Sequence, residues 1–162
     1  MTPAGVAVTV EADARAPLGA TFLAIAPIEL AKIFTGFGPL PAVVGTRDQM
    51  GAWDHVGATR TVRLADGSEA REEITAYEAP SHFAYRVSGF TGPLRLLVAH
   101  ADGAWWFSDA GRGETHVRWT YIFQPHAARA SLARATIAPL WSTYQRRALA
   151  HAITEAERSA ST

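Results

Sequence analysis

Along this chain apolar and polar positions alternate in short runs, then give way to one long stretch with helical spacing. "GVAVTVEADA" at 5–14 sets Val6, Val8 and Val10 against polar or small neighbours, the period-two pattern of a half-buried strand. After Pro17, "LGATFLAIAPIELAKIFTGFG" predicts two short helices broken at Pro27, with Ile28, Leu30, Ala31 and Phe34 keeping helical spacing in the second. "GFGPLPAVVG" at 36–45 is punctuated by Gly and Pro and reads as a loop. From Trp53 onward the pattern predicts strands near 53–64, 70–79, 82–89, 95–108 and 114–124, separated by Asp66-Gly67, Ala79-Pro80, "GFTGP" and "DAGRG".

Two of these strands declare their faces. Phe83, Tyr85 and Val87 share one side, opposite His82, Arg86 and Ser88; Val117, Trp119, Tyr121 and Phe123 share one side, opposite His116, Arg118, Thr120 and Gln124. Clean alternation over connected strands means an antiparallel sheet with one covered and one wet face. The cover is the Ala-rich stretch 128–157, a helix about 45 Å long at 1.5 Å per residue. Ile137, Trp141, Tyr144, Ala148 and Ala152 form its apolar stripe, while Pro139 predicts a kink or a late start. The result is an α+β fold: a curved antiparallel sheet of six to seven strands wrapped around a long C-terminal helix, with two short helices after strand one. Bulky inward rings facing Trp141 and Tyr144 suggest the irregular wall of a pocket.

The hairpin "GATRTVRLADGSEAREEITAYEA" at 57–79 carries charge where a core face should be. A three-residue loop at 66–68 pairs Ala65 with Glu69 and puts Val56, Ala58, Arg60, Val62 and Leu64 on one face with Ala70, Glu72, Ile74 and Ala76. Arg60 and Glu72 then lie diagonally. A two-residue Asp66-Gly67 loop would instead set Glu73 opposite Arg60; the first register is preferred because it also buries Ile74. An uncompensated charge there would be expensive, so Arg60 needs a carboxylate or a polar ligand. Three roles remain open for it: a structural ion pair, a polar anchor at the floor of a pocket, or a catalytic group. Arg63 and Glu73 are expected to face water.

Composition narrows the partners. Fifteen basic and fifteen acidic residues are interspersed and cancel, which argues against nucleic acid and anionic lipid. There is no Cys, so thiol catalysis and thiolate metal sites are out. The N-terminus lacks a basic n-region and no apolar run approaches the ~20 residues of a membrane span, so one cytoplasmic domain over 1–162, without membrane insertion, is expected. His151 and Glu155 share a helix face but lack a third ligand; His82, His116 and His126 are expected to face water, and the face of His100 is unassigned. No cofactor or metal is indicated. Trp105-Trp106 must put one ring on each face, and an exposed one would suit a homodimer contact.

"WDHVGATRTVRLADGSEAREEITAYEAPSHFAYRVSGFTGPLRLL", then "THVRWTYIFQP" and the Ala-rich helix, resembles the START-like polyketide cyclase superfamily (SRPBCC), nearest to the subgroup containing plant abscisic-acid receptors. The resemblance covers about residues 4 to 157 and implies a helix-grip fold with a ligand cavity between sheet and long helix. It places pocket-mouth loops at 64–70 and 88–95 and matches Glu72 to a cavity-lining carboxylate. Trp119 stands where the subgroup has a polar residue, and Lys32, the one Lys, cannot serve as its ligand clamp, so an acidic hormone is a poor candidate. The expected function is binding of a small, largely apolar or amphipathic molecule by Arg60, Glu72, Tyr85, Trp119, Tyr121, Ile137, Trp141 and Tyr144. Two alternatives are a cyclase, aromatase or lyase using the same cavity, and a dimeric protein-interaction module.

Overall fold

Alternation along each strand sorts side chains into two faces, and pairing across the sheet sets the inward ones in rows. In the computed structural model, which describes residues 2–162, the strands are β1 (Val6–Ala14), β2 (Val43–Arg47), β3 (Thr59–Leu64), β4 (Glu69–Glu78), β5 (His82–Ser88), β6 (Val98–Gly111) and β7 (Glu114–Pro125). They form one seven-stranded antiparallel sheet in the order β1-β7-β6-β5-β4-β3-β2. Helix α1 (Leu18–Ile25) follows β1, and helix α2 (Ala130–Ala160) closes the chain. This is the helix-grip arrangement.

Three inner rows explain where the core is dense and where it is not. One row holds Val10, Trp119, Trp105 and Phe83; the next holds Val8, Tyr121, Gly103, Tyr85 and Ile74; the third holds Val6, Phe123, Ala101, Val87, Glu72 and Arg60. The first row is filled with rings: Trp105 and Trp119 stack with centroids 4.2 Å apart, and Trp119 is wholly buried. Phe22 of α1 seals that end edge-on against Phe83, Phe107 and Tyr77. Of the bulky rings expected to wall a pocket, Trp119 is packed solidly, whereas Tyr121, Phe123, Trp141 and Tyr144 do border open space. That space lies beyond the first row, where Ala101, Val87, Ala70 and Val62 present small side chains.

Helix α2 packs on β1 and α1, and its Ala148, Ala152 and Ala156 are fully buried, small enough for backbones to approach closely. It runs unbroken through Pro139, whose missing N–H removes one internal bond. Among the described residues no helix is long and apolar enough to cross a membrane.

Several element boundaries differ from the sequence pattern, each for a local reason. The end of the stretch read as loop, residues 43–45, belongs to β2; a bulge between Val43 and Gly45 breaks its alternation, and Val43 docks by donating to the Phe34 carbonyl at 2.9 Å. The second short helix is a single 3-10 turn, Leu30–Lys32. β3 begins at Thr59, so Val56 stays outside the strand and exposed. The hairpin loop is Ala65–Gly67, one residue earlier than expected, which pairs Arg63 with Glu69 and Arg60 directly with Glu72. Gly67, at φ 86°, takes the last loop position that needs positive φ, and Asp66 Oδ1 accepts from the Ser68 N–H at 2.9 Å. The shift keeps strand parity, so Arg60 and Glu72 still point inward while Arg63 and Glu73 are exposed. A bulge between Ile74 and Ala76 then turns Tyr77, not Ala76, toward the core.

Gly103 makes the middle row possible. A Cβ there would lie 2.4 Å from Tyr85 Cζ, so the Tyr85 ring rests on bare backbone and its hydroxyl accepts from Trp119 Nε1 at 3.1 Å. Gly103→Ala is expected to cost about 1–3 kcal/mol through overpacking, read as a lower urea midpoint with an unchanged m value. An unshifted midpoint would show that the row tolerates a side chain.

Candidate ligand cavity

A cavity of about 390 Å³ occupies the gap between α2 and the β3–β7 part of the sheet. Val62, Ala70, Val87, Ala101 and Phe123 form its sheet wall; Ile137, Leu140, Trp141 and Tyr144 form its helix wall. Phe34, Leu40 and Pro41 close one side, and Phe90, Leu94 and Leu97 the other. Exposed Asp66 and the neighbouring Ser68 place its mouth at the β3–β4 hairpin.

The mouth is built by clamping two loops together. The Thr91 N–H donates to the Glu69 carbonyl at 3.0 Å, and the Glu69 N–H donates back to Thr91 Oγ1 at 2.8 Å. Gly92 passes so close to the hairpin that a Cβ on it would meet Ser68 at 2.9 Å. On the opposite side Tyr144 ties the helix to the 36–41 loop, its hydroxyl donating to the Pro41 carbonyl at 2.8 Å and accepting from the Gly36 N–H at 3.0 Å.

Of the sequence-predicted residues, Glu72, Tyr121, Ile137, Trp141 and Tyr144 line this cavity. Arg60, Tyr85 and Trp119 do not; with Glu72 they border a separate void of about 20 Å³ behind it. Glu72 therefore stands between a cavity of ligand size and a nook of water size. Its Oε1 accepts from Arg60 Nη2 at 2.9 Å and Nε at 3.2 Å, and both side chains are buried. Burial pushes the Glu72 carboxyl above its ordinary value, and the Arg60 charge works against that shift. Burial also raises the hydroxyls of Tyr121 and Tyr85, which stay neutral hydrogen-bonding groups at ordinary pH.

Two residues important here lay outside the sequence reading. Trp53 covers Arg60, with the guanidinium carbon 3.9 Å from the ring centre, and packs with Ala58 and Ile74 in a small second core. The pattern put it at the start of a strand over 53–64, whereas the chain is irregular there and β3 begins only at Thr59. Gln145 is wholly buried on α2, donating through Nε2 to the Trp119 carbonyl at 2.9 Å and the Val8 carbonyl at 3.4 Å. Its place four residues after Trp141 and four before Leu149 was a usable signal.

The histidines lie away from the cavity. His116 bridges Asp13 at 2.6 Å and Glu11 at 3.0 Å on the outer face, and His100 lies 3.7 Å from Asp102. Among the described residues no three His, Asp or Glu side chains gather to hold a metal. Trp105 is buried, whereas Trp106 is 41% exposed, stacked on His82 and approached by Arg118.

Removing one partner of a buried ion pair strands the other charge, at a cost of about 3–5 kcal/mol, while replacing both removes that penalty. Arg60→Met and Glu72→Leu are each expected to destabilise strongly, and the double variant less than the sum. Additive losses in urea unfolding would show that the two charges do not depend on one another.

The family model described as polyketide cyclase / dehydrase and lipid transport matches residues 5–157. No curated protein matches the chain. Solved structures share the fold at low identity. The Zhui aromatase/cyclase from Streptomyces sp. R1128 is 18% identical with a TM-score of 0.70, over 94% of this chain and 93% of that one. Norcoclaurine synthase from Thalictrum flavum, in complex with dopamine and hydroxybenzaldehyde, is 16% identical with a TM-score of 0.66, over 94% and 87%. The major latex-like protein 151 from Panax ginseng is 14% identical with a TM-score of 0.66, over 98% and 99%. With a family match spanning nearly the whole described sheet and helix, this chain belongs to the polyketide cyclase / dehydrase and lipid transport family.

Proposed function

We propose that this protein binds a small, largely apolar molecule in the cavity between α2 and the sheet. The observation that carries the proposal is the cavity itself: about 390 Å³, walled by aliphatic and aromatic side chains, with a single buried carboxylate on its inner wall. Wetting such a surface is unfavourable, and an apolar occupant would gain roughly 25 cal/mol for each Å² it removes from water. The hairpin and the 88–95 loop stand where the likeness to the abscisic-acid receptor subgroup puts mouth loops, and Asp66, Ser68, Gly92 and Pro93 of these loops line the cavity. Arg60, Tyr85 and Trp119 support the site from behind, holding Glu72 and the Tyr121 row in place.

A second reading, a cyclase, aromatase or lyase in the same cavity, is favoured by one observation. Burial shifts the Glu72 carboxyl upward, favouring its protonated form, and Glu72 stands on the cavity wall where an occupant could exchange a proton with it. Glu72 would shuttle the proton, and the neighbouring Tyr121 hydroxyl would polarise a carbonyl.

Binding is tested with the neutral fluorophore N-phenylnaphthylamine. Its fluorescence is expected to rise at one site per chain. Ala101→Leu, which fills the cavity from the sheet side, should weaken it tenfold or more, while exposed Glu73→Ala leaves it unchanged. Absence of a binding signal, or equal affinity in Ala101→Leu, rejects the cavity as the site. For the second reading, turnover of a cyclisable ketone must fall in Glu72→Gln; unchanged turnover removes Glu72 as the proton carrier.

A further inference from the structure

The charged side chains lining the cavity are Asp66, Glu69 and Glu72, all acidic, and among the described residues no Lys, Arg or His lines it. Of the cations near these carboxylates, Arg47 and Arg60 are paired with them, while Arg63, opposite Glu69 in the hairpin, is exposed and does not line the cavity. Arg47 donates to Glu69 at 2.7 and 2.8 Å and also pairs with Asp48. Arg60 is spent on Glu72 through two bonds. Arg95 donates to the carbonyls of Thr91 at 3.4 Å and Gly92 at 3.1 Å, within its own loop.

Glu72 is 5% exposed, yet half of its acceptor capacity is idle. Both Arg60 nitrogens use Oε1, so Oε2 accepts nothing from the protein. Nor is Oε2 sealed away: the sealed and unpartnered side-chain atoms are Trp141 Nε1 and Gln145 Oε1. A buried carboxylate oxygen without a donor is costly, and a donor supplied by the occupant would relieve it. At the mouth, hydrogen bonds from Ser68 hold the Asp66 carboxyl below its ordinary value, and those from Arg47 do the same for Glu69, so both are negative at neutral pH.

From this we infer that the cavity takes an apolar molecule bearing a hydrogen-bond donor, an amine or a phenol, directed at Glu72 Oε2, and that it rejects carboxylates of the same shape. The inference rests on the cavity being the binding site and adds the head group. An anionic head would face Glu72 inside a cavity whose lining holds no cation, with Arg60 already spent on Glu72. An ammonium or hydroxyl head meets an acceptor at each end. The body of the ligand would lie between Phe123 and Trp141, remote from any charge.

The test is competition against N-phenylnaphthylamine, at pH 7 and low salt, by naphthylethylamine, naphthol, naphthylacetic acid and ethylnaphthalene. The amine and the phenol are expected to compete at least tenfold more tightly than the acid, with ethylnaphthalene between. An acid that competes as well as the amine overturns the head-group inference while leaving the cavity reading intact, as does ethylnaphthalene outcompeting both donors. Failure of the fluorophore itself to bind defeats the cavity reading instead. The unmodified protein carries these comparisons, so they do not depend on a variant folding. Glu72→Gln, where it folds, should reduce the preference for amine over acid; an undiminished preference would remove Glu72 as the acceptor.

Discussion

One helix cannot cover seven strands, and the cavity follows from that mismatch. Strands about 4.8 Å apart make this sheet roughly 29 Å wide, while a helix with its side chains is about 10 Å across. Helix α2 spends its close contacts on β1 and α1, where Ala148, Ala152 and Ala156 let it approach. The β3–β6 side must therefore be covered by curvature, by loops or by something that is not protein. Curvature and the stacked rings of Trp105, Trp119 and Phe83 fill one end. At the other end most sheet side chains are small, and α2 reaches across only through Ile137, Leu140, Trp141 and Tyr144, with loops closing the rest.

The Arg60–Glu72 pair belongs to the boundary between those two ends. It lies on the same cross-strand row as Ala101 and Val87, so its outer side meets the cavity and its inner side meets the Tyr85–Trp119 void. Trp53 roofs the guanidinium, which keeps the charge pair dry from the far side. A dry ion pair does little for net stability compared with an apolar pair of equal volume. Its presence makes chemical sense if the carboxylate has a second task toward the cavity, whether orienting a bound molecule or exchanging a proton with it.

Much of the fold was legible because alternation over β5 and β7 and the stripe on α2 are long and uninterrupted. Strand parity made the inward direction of Arg60 and Glu72 readable even though the loop was placed one residue late, since the observed register differs from the preferred one by an even step. What stayed hidden were features without period: β2 with its bulge, the irregular chain around Trp53, and the bulge that turns Tyr77 inward. The location of the empty space was only half readable. Periodicity reports which residues point inward but not the summed volume of each row, so it did not separate Trp119, which is packed solid, from Tyr121 and Phe123, which border the cavity.

The central claim is that the volume beside Ala101, Val87, Phe123 and Trp141 is empty of protein and built to be occupied. A crystal structure of the protein purified without added ligand tests it most directly. The account predicts density there that protein atoms do not explain, in contact with Glu72 and enclosed by those four side chains. An interior in which Trp141 or Phe90 has swung in to fill the space, leaving sheet and helix in solid contact, would contradict it.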